Sequence, residues 1–307
     1  MKFVKMHGLG NDYVYLDAVS EPGIASRVDL AVLARAMSSR HRGVGSDGLI
    51  LVCSPTAAGV ARGAKVRMRM FNADGTESEM CGNGVRCVAK FAHDRLGMKG
   101  SPLAVETGRG VLAIDVVLGA EGRVASATVD MGEPILEPAK VPVDVSKLTA
   151  GSAPGRFVIP DAKGLPEIMV VSMGNPHVVI FDERPLKLPE VLGFMQGLGP
   201  RLERHPAFPQ RANIHLAHAI SKTEGFMVTW ERGAGITQAC GTGACAVLVA
   251  GVMSGRFDRA ASLRLPGGVL DIRWDEWSQH VFMTGPAEEV FEGVWPDQSV
   301  PPSALYA

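Results

Sequence analysis

Short runs of apolar residues that alternate with polar ones dominate this chain, and they predict more strands than helices. In the first half, strands are predicted at residues 3–5, 13–17, 48–53 and 65–71, and an antiparallel meander at 103–105, 111–118 and 123–131. In the second half, strands are predicted at residues 168–173, 178–181, 212–217, 226–231, 263–265, 269–274 and 280–284. Because short turns join most neighbours, this pattern predicts an α+β fold with mainly antiparallel sheet.

Two predicted helices each begin at a cysteine. After Cys81, apolar residues recur with the spacing of one helix face, while Arg86 and other charged residues occupy the remaining faces. After Cys240, residues 244–253 are apolar on every side, which predicts a central, buried helix. A third helix is predicted over residues 28–39.

The chain contains an internal repeat. The string Cys-Gly-Asn-Gly at residues 81–84 recurs as Cys-Gly-Thr-Gly at residues 240–243. Nine residues before each cysteine a polar side chain ends a predicted strand, and a Gly-Asn pair lies further back, at 10–11 and again at 174–175. Three features in the same order predict two similar domains related by a pseudo-twofold axis, each presenting a cysteine at a helix N-terminus.

Composition narrows the classes of protein that fit. The chain has 307 residues, of which 46% are hydrophobic and 21% charged, enough for two folded cores. Lys and Arg number 31 against 32 for Asp and Glu, which argues against a nucleic-acid-binding protein. The longest apolar run is about half the roughly 20 residues that a membrane helix needs. Five cysteines, with no apolar signal-peptide core near the start, favour reduced thiols and a cytoplasmic location.

A cysteine at a helix N-terminus suits proton transfer. Unpaired backbone N–H groups and a partial positive charge at that end favour the thiolate and also bind a carboxylate. A thiolate on one face of a carbon and a thiol on the other would remove a proton and deliver one from the opposite side. The repeated motif therefore predicts a two-base stereoinversion, and the glycines allow the substrate to approach the backbone.

Zinc binding is an alternative interpretation of the cysteines. Cys240 and Cys245 have finger-like spacing, whereas Cys81 and Cys87 do not, and a structural zinc ion needs four ligands. Cys87 and Cys245 both fall inside predicted helices, so we interpret them, together with Cys53, as core thiols. The sequence therefore predicts no metal site.

Two further alternatives concern catalysis and cofactor binding. A covalent Cys–His–Asn hydrolase stays open for either helix-starting cysteine, although it does not explain why the motif occurs twice. Residues 43–48 match Gly-x-Gly-x-x-Gly, but a helix is predicted before this string and a strand after it. A dinucleotide-binding fingerprint requires the reverse order, so we expect no bound nucleotide.

These motifs make the chain resemble the diaminopimelate epimerases, which are cofactor-independent amino-acid epimerases. The matching strings are Lys-Met-His-Gly-Leu-Gly-Asn-Asp at 5–12, Phe-Asn-Ala-Asp-Gly at 71–75, Met-Cys-Gly-Asn-Gly-Val-Arg-Cys at 80–87, Met-Gly-Asn-Pro-His at 173–177, Arg-Ala-Asn at 211–213, Thr-Trp-Glu-Arg-Gly at 229–233 and Ala-Cys-Gly-Thr-Gly-Ala-Cys at 239–245. The resemblance implies two β-rich domains, residues 1–130 with a returning segment at about 278–307 and residues 131–277. Each domain would wrap around a central helix, with the active site in the cleft between them.

The resemblance also implies function. A homodimer in the bacterial cytoplasm would convert LL-diaminopimelate to meso-diaminopimelate for lysine and peptidoglycan synthesis, without pyridoxal phosphate or a metal. Cys81 and Cys240 would be the acid/base pair, and His177 and Glu231 would modulate the thiols. The groups that would bind the substrate are Asn11, Asn72, Gly82, Asn83, Asn175, Asn213, Glu231, Arg232, Gly241 and Thr242.

Two positions depart from the family pattern. Members with Gly-Phe-Asp-Gln at residues 45–48 direct the glutamine toward the substrate, and Gly48 lacks that side chain. Many members carry tyrosine at the subunit interface where Phe291 stands, and phenylalanine keeps the apolar contact but loses a hydroxyl. The alternative functions are another cofactor-independent racemase of this fold, for proline or histidine, and a non-catalytic binding protein.

Overall fold

The computed structural model describes residues 1–162, 164–184 and 187–296. The chain divides into two compact units: unit 1 comprises Met1–Val129 and Gly285–Ala307, and unit 2 comprises Asp130–Thr284. The sequence-based boundaries lay after residue 130 and near residue 278. The last residues of the predicted returning segment, 297–307, lie outside the described residues.

Unit 1 has a mixed sheet with helices between its strands. Its elements are β1 (Lys2–Gly8), β2 (Asn11–Ala18), α1 (Ile24–Arg27), α2 (Leu30–Ser38), β3 (Gly48–Cys53), α3 (Ala57–Ala61), β4 (Val66–Asn72), β5 (Glu77–Ser78), α4 (Gly82–Asp94), β6 (Leu103–Thr107), β7 (Gly110–Leu118) and β8 (Val124–Asp130). A short 3₁₀ helix spans Ala120–Gly122. Most pairs are antiparallel, and β2–β3 and β4–β6 are parallel.

Unit 2 follows a similar plan. A 3₁₀ helix (Val145–Lys147) precedes β9 (Thr149–Ala150), β10 (Arg156–Val158), β11 (Ile168–Ser172), β12 (Pro176–Phe181), α5 (Leu188–Glu203), β13 (Asn213–Ala219), β14 (Glu224–Glu231), β15 (Gly235–Thr237), α6 (Gly241–Met253), β16 (Ala260–Leu265), β17 (Gly268–Trp274) and β18 (Val281–Pro286). The chain re-enters unit 1 within β18. There, β19 (Glu288–Val294) pairs antiparallel with β1.

The strand order of unit 1 recurs in unit 2. In each, an antiparallel pair (β1–β2, β11–β12) is followed by a parallel neighbour (β3, β13), an antiparallel strand (β4, β14) and a short strand (β5, β15). A helix that begins at a cysteine then leads to a strand parallel to β4 or β14. The predicted α+β class with mainly antiparallel sheet is confirmed, and the repeat extends from the motif to the topology.

Each cysteine-capped helix is wrapped by the strands of its own unit. Helix α6 is buried along nearly its whole length and packs against β11, β12, β13, β16 and β17, as its all-apolar sequence predicts. Helix α4 packs against β1, β2, β3, β4, β6 and β7, and residues 83–93 are all buried. The faces of α4 that carry Arg86 and Lys90 are therefore buried as well. Arg86 is fully buried and donates to Gly82 O, Asn83 Oδ1 and Pro286 O, which satisfies its guanidinium.

Local sequence accounts for the other helix boundaries. The helix predicted over residues 28–39 begins at Leu30, because the Asp29 carboxylate accepts from two backbone N–H groups and caps it. Helix α5 was not predicted, since Gly193, Gly197 and Pro200 are helix-breaking signals. Its apolar side chains join the core of unit 2, so tertiary packing overrides the weak local propensity. No helix in the described part of the chain is long and apolar enough to span a membrane.

Candidate active site

Cys81 is the N-cap residue of α4. Its backbone is extended, and its sulfur accepts the N–H of Gly84, at 3.4 Å between N and Sγ. This N–H is one of the orphan donors that every helix start leaves unpaired, and a cap side chain with a lone pair satisfies it. The thiol is only half-buried. The sulfur therefore lies at the positive end of the helix, with access to a ligand.

Side chains from β2 and α4 complete the surroundings of this thiol. Asn11 Oδ1 accepts from Cys81 Sγ at 3.5 Å and from Asn83 Nδ2 at 3.3 Å. The Asn11 amide donates to Asp47 Oδ2 at 2.8 Å, which fixes which end of the amide faces the cysteine. The hydroxyl of Tyr13 lies 3.7 Å from Cys81 Sγ. Unit 1 thus brings together three predicted site residues, Asn11, Cys81 and Asn83.

Asn72 ends β4, on the strand beside Gly48. Its amide donates to Thr76 Oγ1 at 2.9 Å. In register, Gly48 pairs with Tyr13 on one side and with Asn72 on the other, so these three residues form one cross-strand row. A Cβ at Gly48 would overlap Phe71 O and lie 3.0 Å from the ring of Tyr13. The backbone here requires glycine, and the row carries no side chain at this position.

Cys240 is the N-cap residue of α6 and has a different environment. It is 4% exposed, and the hydroxyl of Thr242 lies 3.7 Å from its sulfur. Burial, and next the negative charge of Glu231, raise the pKa of the Cys240 thiol well above its ordinary value, although Thr242 and the N–H of Gly243 act in the opposite direction. Cys240 is therefore a protonated thiol near neutral pH.

A chain of hydrogen bonds runs through the buried interior of unit 2 beside Cys240. His177 Nε2 lies 2.9 Å from Asn175 Oδ1, and its Nδ1 lies 2.8 Å from His215 Nε2. His215 Nδ1 in turn lies 2.9 Å from Thr229 Oγ1. At the other end, Asn175 Nδ2 donates to Thr242 Oγ1 at 3.5 Å. His177 is thus linked to the cysteine through Asn175 and Thr242.

His177 and His215, the two histidines in this hydrogen-bonded chain, are both neutral. Burial, followed by the charges of His215 and Arg232, lowers the pKa of His177 well below its ordinary value. Burial alone lowers the pKa of His215 to about 3. Since Asn175 Oδ1 accepts only, His177 carries its proton on Nε2 and His215 on Nε2. His215 then donates to His177, His177 donates to Asn175, and Asn175 donates to Thr242.

Asn213 and Arg232 organise the end of β14. Asn213 Oδ1 accepts the backbone N–H of Arg232 at 2.9 Å, and its Nδ2 donates to Pro176 O at 3.2 Å. The guanidinium of Arg232 is exposed and donates to Gln210 O at 2.9 Å. Glu231 accepts from Thr237 Oγ1 at 2.5 Å. Asn213 is thus buried and engaged with the backbone, while Arg232 retains donors for a ligand.

The other cysteines lie away from these helix starts. Cys87 and Cys245 are fully buried in α4 and α6, and burial raises the pKa of Cys87 to about 11. Cys53 ends β3, and burial raises its pKa as well. Across the residues that the structure describes, no group of three or more His, Cys, Asp and Glu side chains could hold a metal ion.

Sequence reasoning missed Tyr13, His215 and Thr229. A signal for the first two was present, because side chains two residues apart on a strand share a face. Tyr13 follows Asn11 by two residues on β2, and His215 follows Asn213 by two on β13. The repeat gives a second signal, since Tyr13 follows the Gly-Asn pair at 10–11 just as His177 follows the pair at 174–175.

Comparisons with known proteins agree with these motifs. Residues 3–137 and 169–290 match the family model described as diaminopimelate epimerase. A protein of Desulfovibrio desulfuricans named diaminopimelate epimerase is 50% identical over 299 residues, which cover 95% of this chain and 97% of the relative. One of the same name from Methanococcus maripaludis is 42% identical over 300 residues, covering 95% and 99%.

Solved structures share the fold at much lower identity. A probable proline racemase from Agrobacterium radiobacter superposes with a TM-score of 0.65 at 13% identity, covering 99% of this chain and 95% of that one. A hydroxyproline epimerase from Agrobacterium vitis gives a TM-score of 0.62 at 15% identity, covering 95% and 90%. These likenesses support the fold assignment alone.

Proposed function

The chain belongs to the diaminopimelate epimerase family, and from this premise we propose that it interconverts LL-diaminopimelate and meso-diaminopimelate. The reaction needs no pyridoxal phosphate or metal, and it supplies the meso isomer for lysine and peptidoglycan synthesis. The observation that carries the proposal is the repeated placement of a cysteine as the N-cap of the central helix in each unit. One proton acceptor and one proton donor are what inversion at a carbon requires.

The two thiols would divide the proton transfer between them. A thiolate at Cys81 removes the α-proton, and the thiol of Cys240 delivers its own proton to the opposite face of the same carbon. Cys81 then holds a proton and Cys240 is a thiolate, so the reverse reaction starts from the exchanged state. The surroundings support this division, because each sulfur faces a backbone N–H group but Cys240 is also buried near a carboxylate that disfavours its thiolate.

The remaining site residues would bind the substrate. Backbone N–H groups at the two helix starts would hold the reacting carboxylate and stabilise the charge that develops beside it; these residues are Gly82, Asn83, Gly241 and Thr242. The exposed guanidinium of Arg232 suits the distal carboxylate through paired hydrogen bonds. Asn11, Asn72 and Asn175 carry the amides that zwitterionic groups need, and Asn213 would act by holding the backbone of Arg232 in place.

The test is catalysis by cysteine variants. Purified protein with LL-diaminopimelate should form the meso isomer, and excess chelator or hydroxylamine should leave the rate unchanged. Cys81→Ala and Cys240→Ala should each lose at least about 10²-fold in kcat, because each variant lacks one proton-transfer group. Cys87→Ala and Cys245→Ala are the matched controls, which should lower thermal stability but keep kcat.

Some outcomes would reject this assignment. Full turnover by Cys81→Ala or Cys240→Ala would exclude the two-base mechanism. Loss of activity with chelator, restored by zinc, would favour a metal-dependent reaction. Conversion of L-proline or L-histidine, with no conversion of LL-diaminopimelate, would favour the racemase alternative.

We extend the proposal to a cytoplasmic homodimer. Three apolar side chains on β19 are exposed: Val290 at 54%, Phe291 at 48% and Val294 at 71%. The ring of Phe291 packs edge-on against Phe3, with the ring centroids 6.0 Å apart. Exposed apolar side chains of this kind, Phe291 among them, suit burial against a second copy of the chain. A reducing cytoplasm would keep both catalytic thiols reduced.

A further inference from the structure

Tyr13 occupies a place in unit 1 that neither the motifs nor the comparisons assign. It lies on β2 and is 4% exposed. Its ring faces the same side of the strand as Asn11, two residues earlier, because strand side chains alternate. Gly48, its partner on β3, has no side chain, and any Cβ there would crowd the ring. The absence of a side chain at Gly48 thus leaves room for the Tyr13 ring beside the start of α4.

The sulfur of Cys81 has partners suited to both of its protonation states. Asn11 Oδ1, at 3.5 Å, accepts a proton from the neutral thiol. The Gly84 N–H, at 3.4 Å, and the Tyr13 hydroxyl, at 3.7 Å, can both donate to the thiolate. Among these three groups Tyr13 is the only side-chain donor. Hydrogen bonds to a charged acceptor are about twice as strong as neutral ones, so this donor favours the thiolate.

We propose that Tyr13 is a positioning residue for Cys81, whose hydroxyl donates to the Cys81 sulfur and stabilises the thiolate that removes the substrate proton. The proposal rests on the proposed function, in which Cys81 exchanges a proton with the substrate. Tyr13 acts through Cys81 and loses no proton of its own. When Cys81 gains the substrate proton, the thiol donates to Asn11 and the phenol keeps its hydrogen.

The environment of the phenol agrees with a role as a permanent donor. Burial, followed by the negative charge of Cys81, raises the pKa of Tyr13 well above its ordinary value. The hydroxyl therefore stays protonated throughout the pH range in which a thiol titrates. In the repeat, the equivalent residue of unit 2 is His177, which contacts Asn175 and not the sulfur of its own cysteine. The repeat position after the Gly-Asn pair therefore donates directly to the cysteine sulfur in unit 1, whereas in unit 2 it contacts an asparagine.

The test compares Tyr13→Phe with Tyr15→Phe. Tyr15 lies on the same strand, is fully buried, and donates its hydroxyl to Gly84 O at 3.2 Å, so both variants remove one buried hydroxyl next to α4. The rate of Cys81 alkylation by iodoacetamide, measured by peptide mapping from pH 6 to pH 10, reports its thiolate fraction without any need for turnover. The pH profile of kcat/KM for LL-diaminopimelate is the second readout.

Tyr13→Phe should move the alkylation midpoint of Cys81 upward by about one pH unit, since a hydrogen bond to the charged form is lost. The acidic limb of kcat/KM should move by the same amount, with about a tenfold loss of rate below it. Tyr15→Phe should lower the unfolding temperature and leave both midpoints at their wild-type values.

The outcomes separate this proposal from the proposed function. An alkylation midpoint in Tyr13→Phe equal to that of wild type, or an equal shift in Tyr15→Phe, would overturn the role of Tyr13. A shifted midpoint in a protein that epimerises no diaminopimelate would support the contact and reject the proposed function instead.

Discussion

At the scale of single residues, the two cysteines share a position but differ in environment. Cys81 is half-buried and faces hydrogen-bond donors, whereas Cys240 is buried and lies near a carboxylate. Donors stabilise a thiolate, and a negative charge stabilises the neutral thiol. In the proposed reaction, this difference prepares Cys81 to accept a proton and Cys240 to give one.

Glu231→Gln should change the pH dependence of the reaction. The charge of Glu231 contributes to the raised pKa of Cys240, so its removal lowers that pKa. In the proposed reaction Cys240 must be protonated to act as the acid, so activity should be lost above its pKa. The basic limb of kcat/KM should therefore move to lower pH in this variant. A steady-state pH series on LL-diaminopimelate measures the shift.

The control for this series is Glu224→Gln. Glu224 begins the strand that Glu231 ends, and its partner is Arg264 on β16. This variant should keep the wild-type basic limb. A basic limb that moves upward in Glu231→Gln, or moves equally in both variants, would show that Glu231 does not act on the acid.

At the scale of elements, the start of α6 packs closely against the buried imidazole ring of His215. A Cβ at Gly243 would overlap His215 Cε1 and lie 2.9 Å from His215 Nδ1. The ring cannot move away without cost, because its two nitrogens are hydrogen-bonded to His177 and Thr229. The third residue of α6 must therefore lack a side chain for Cys240 to keep its place at the helix N-terminus.

Gly243→Ala should lower both stability and kcat. The added methyl forces α6 away from His215, and overpacking of this kind costs roughly 1–3 kcal/mol. Gly197→Ala is the matched control, since Gly197 also lies in a helix but a Cβ there meets nothing within 4 Å. It should stabilise the protein by about 0.4–1 kcal/mol and keep kcat. Denaturant unfolding and steady-state rates measure both effects, and equal behaviour of the two variants would contradict this account.

The sequence predicted these elements where local signals are strong. The glycines after Cys81 and Cys240, followed by apolar residues, predicted both central helices, and Asn11, Cys81 and Asn83 do lie together. The buried state of Arg86 was not predictable, because it depends on acceptors that come from 200 residues away as well as from its own helix. Tyr13 and His215 share a strand face with predicted site residues, but what they contact depends on the neighbouring strands and helices.

At the scale of the whole molecule, one topology is used twice. Each unit supplies a helix start with a cysteine, a strand end with a polar side chain and a Gly-Asn turn. Repetition explains why one motif marks half of the proposed site residues in each unit. It also agrees with the proposed division of chemistry, since two copies of one arrangement can diverge toward a base and an acid.

Phe291→Glu should disrupt the proposed homodimer. A charge in place of the Phe291 ring would have to be desolvated against the second copy, which is unfavourable. Sedimentation velocity should show a dimer for wild type and a monomer for this variant. Val269→Glu is the control, because Val269 on β17 is exposed to a similar extent, at 44%. The Val269→Glu protein should stay dimeric. A monomeric wild-type protein with full activity would reject the dimer.

The central claim is that two different groups exchange protons with one carbon, and isotope incorporation tests it most directly. The protein is incubated with LL-diaminopimelate in heavy water, the reaction is stopped at low conversion, and both isomers are separated and analysed by mass spectrometry. A two-thiol mechanism predicts that the meso product carries one solvent deuterium while the remaining substrate carries almost none, because the delivered proton comes from a thiol that exchanges with solvent. A product that retains the original substrate hydrogen would show that one group moves it, and would contradict the assignment of Cys81 and Cys240 as a pair.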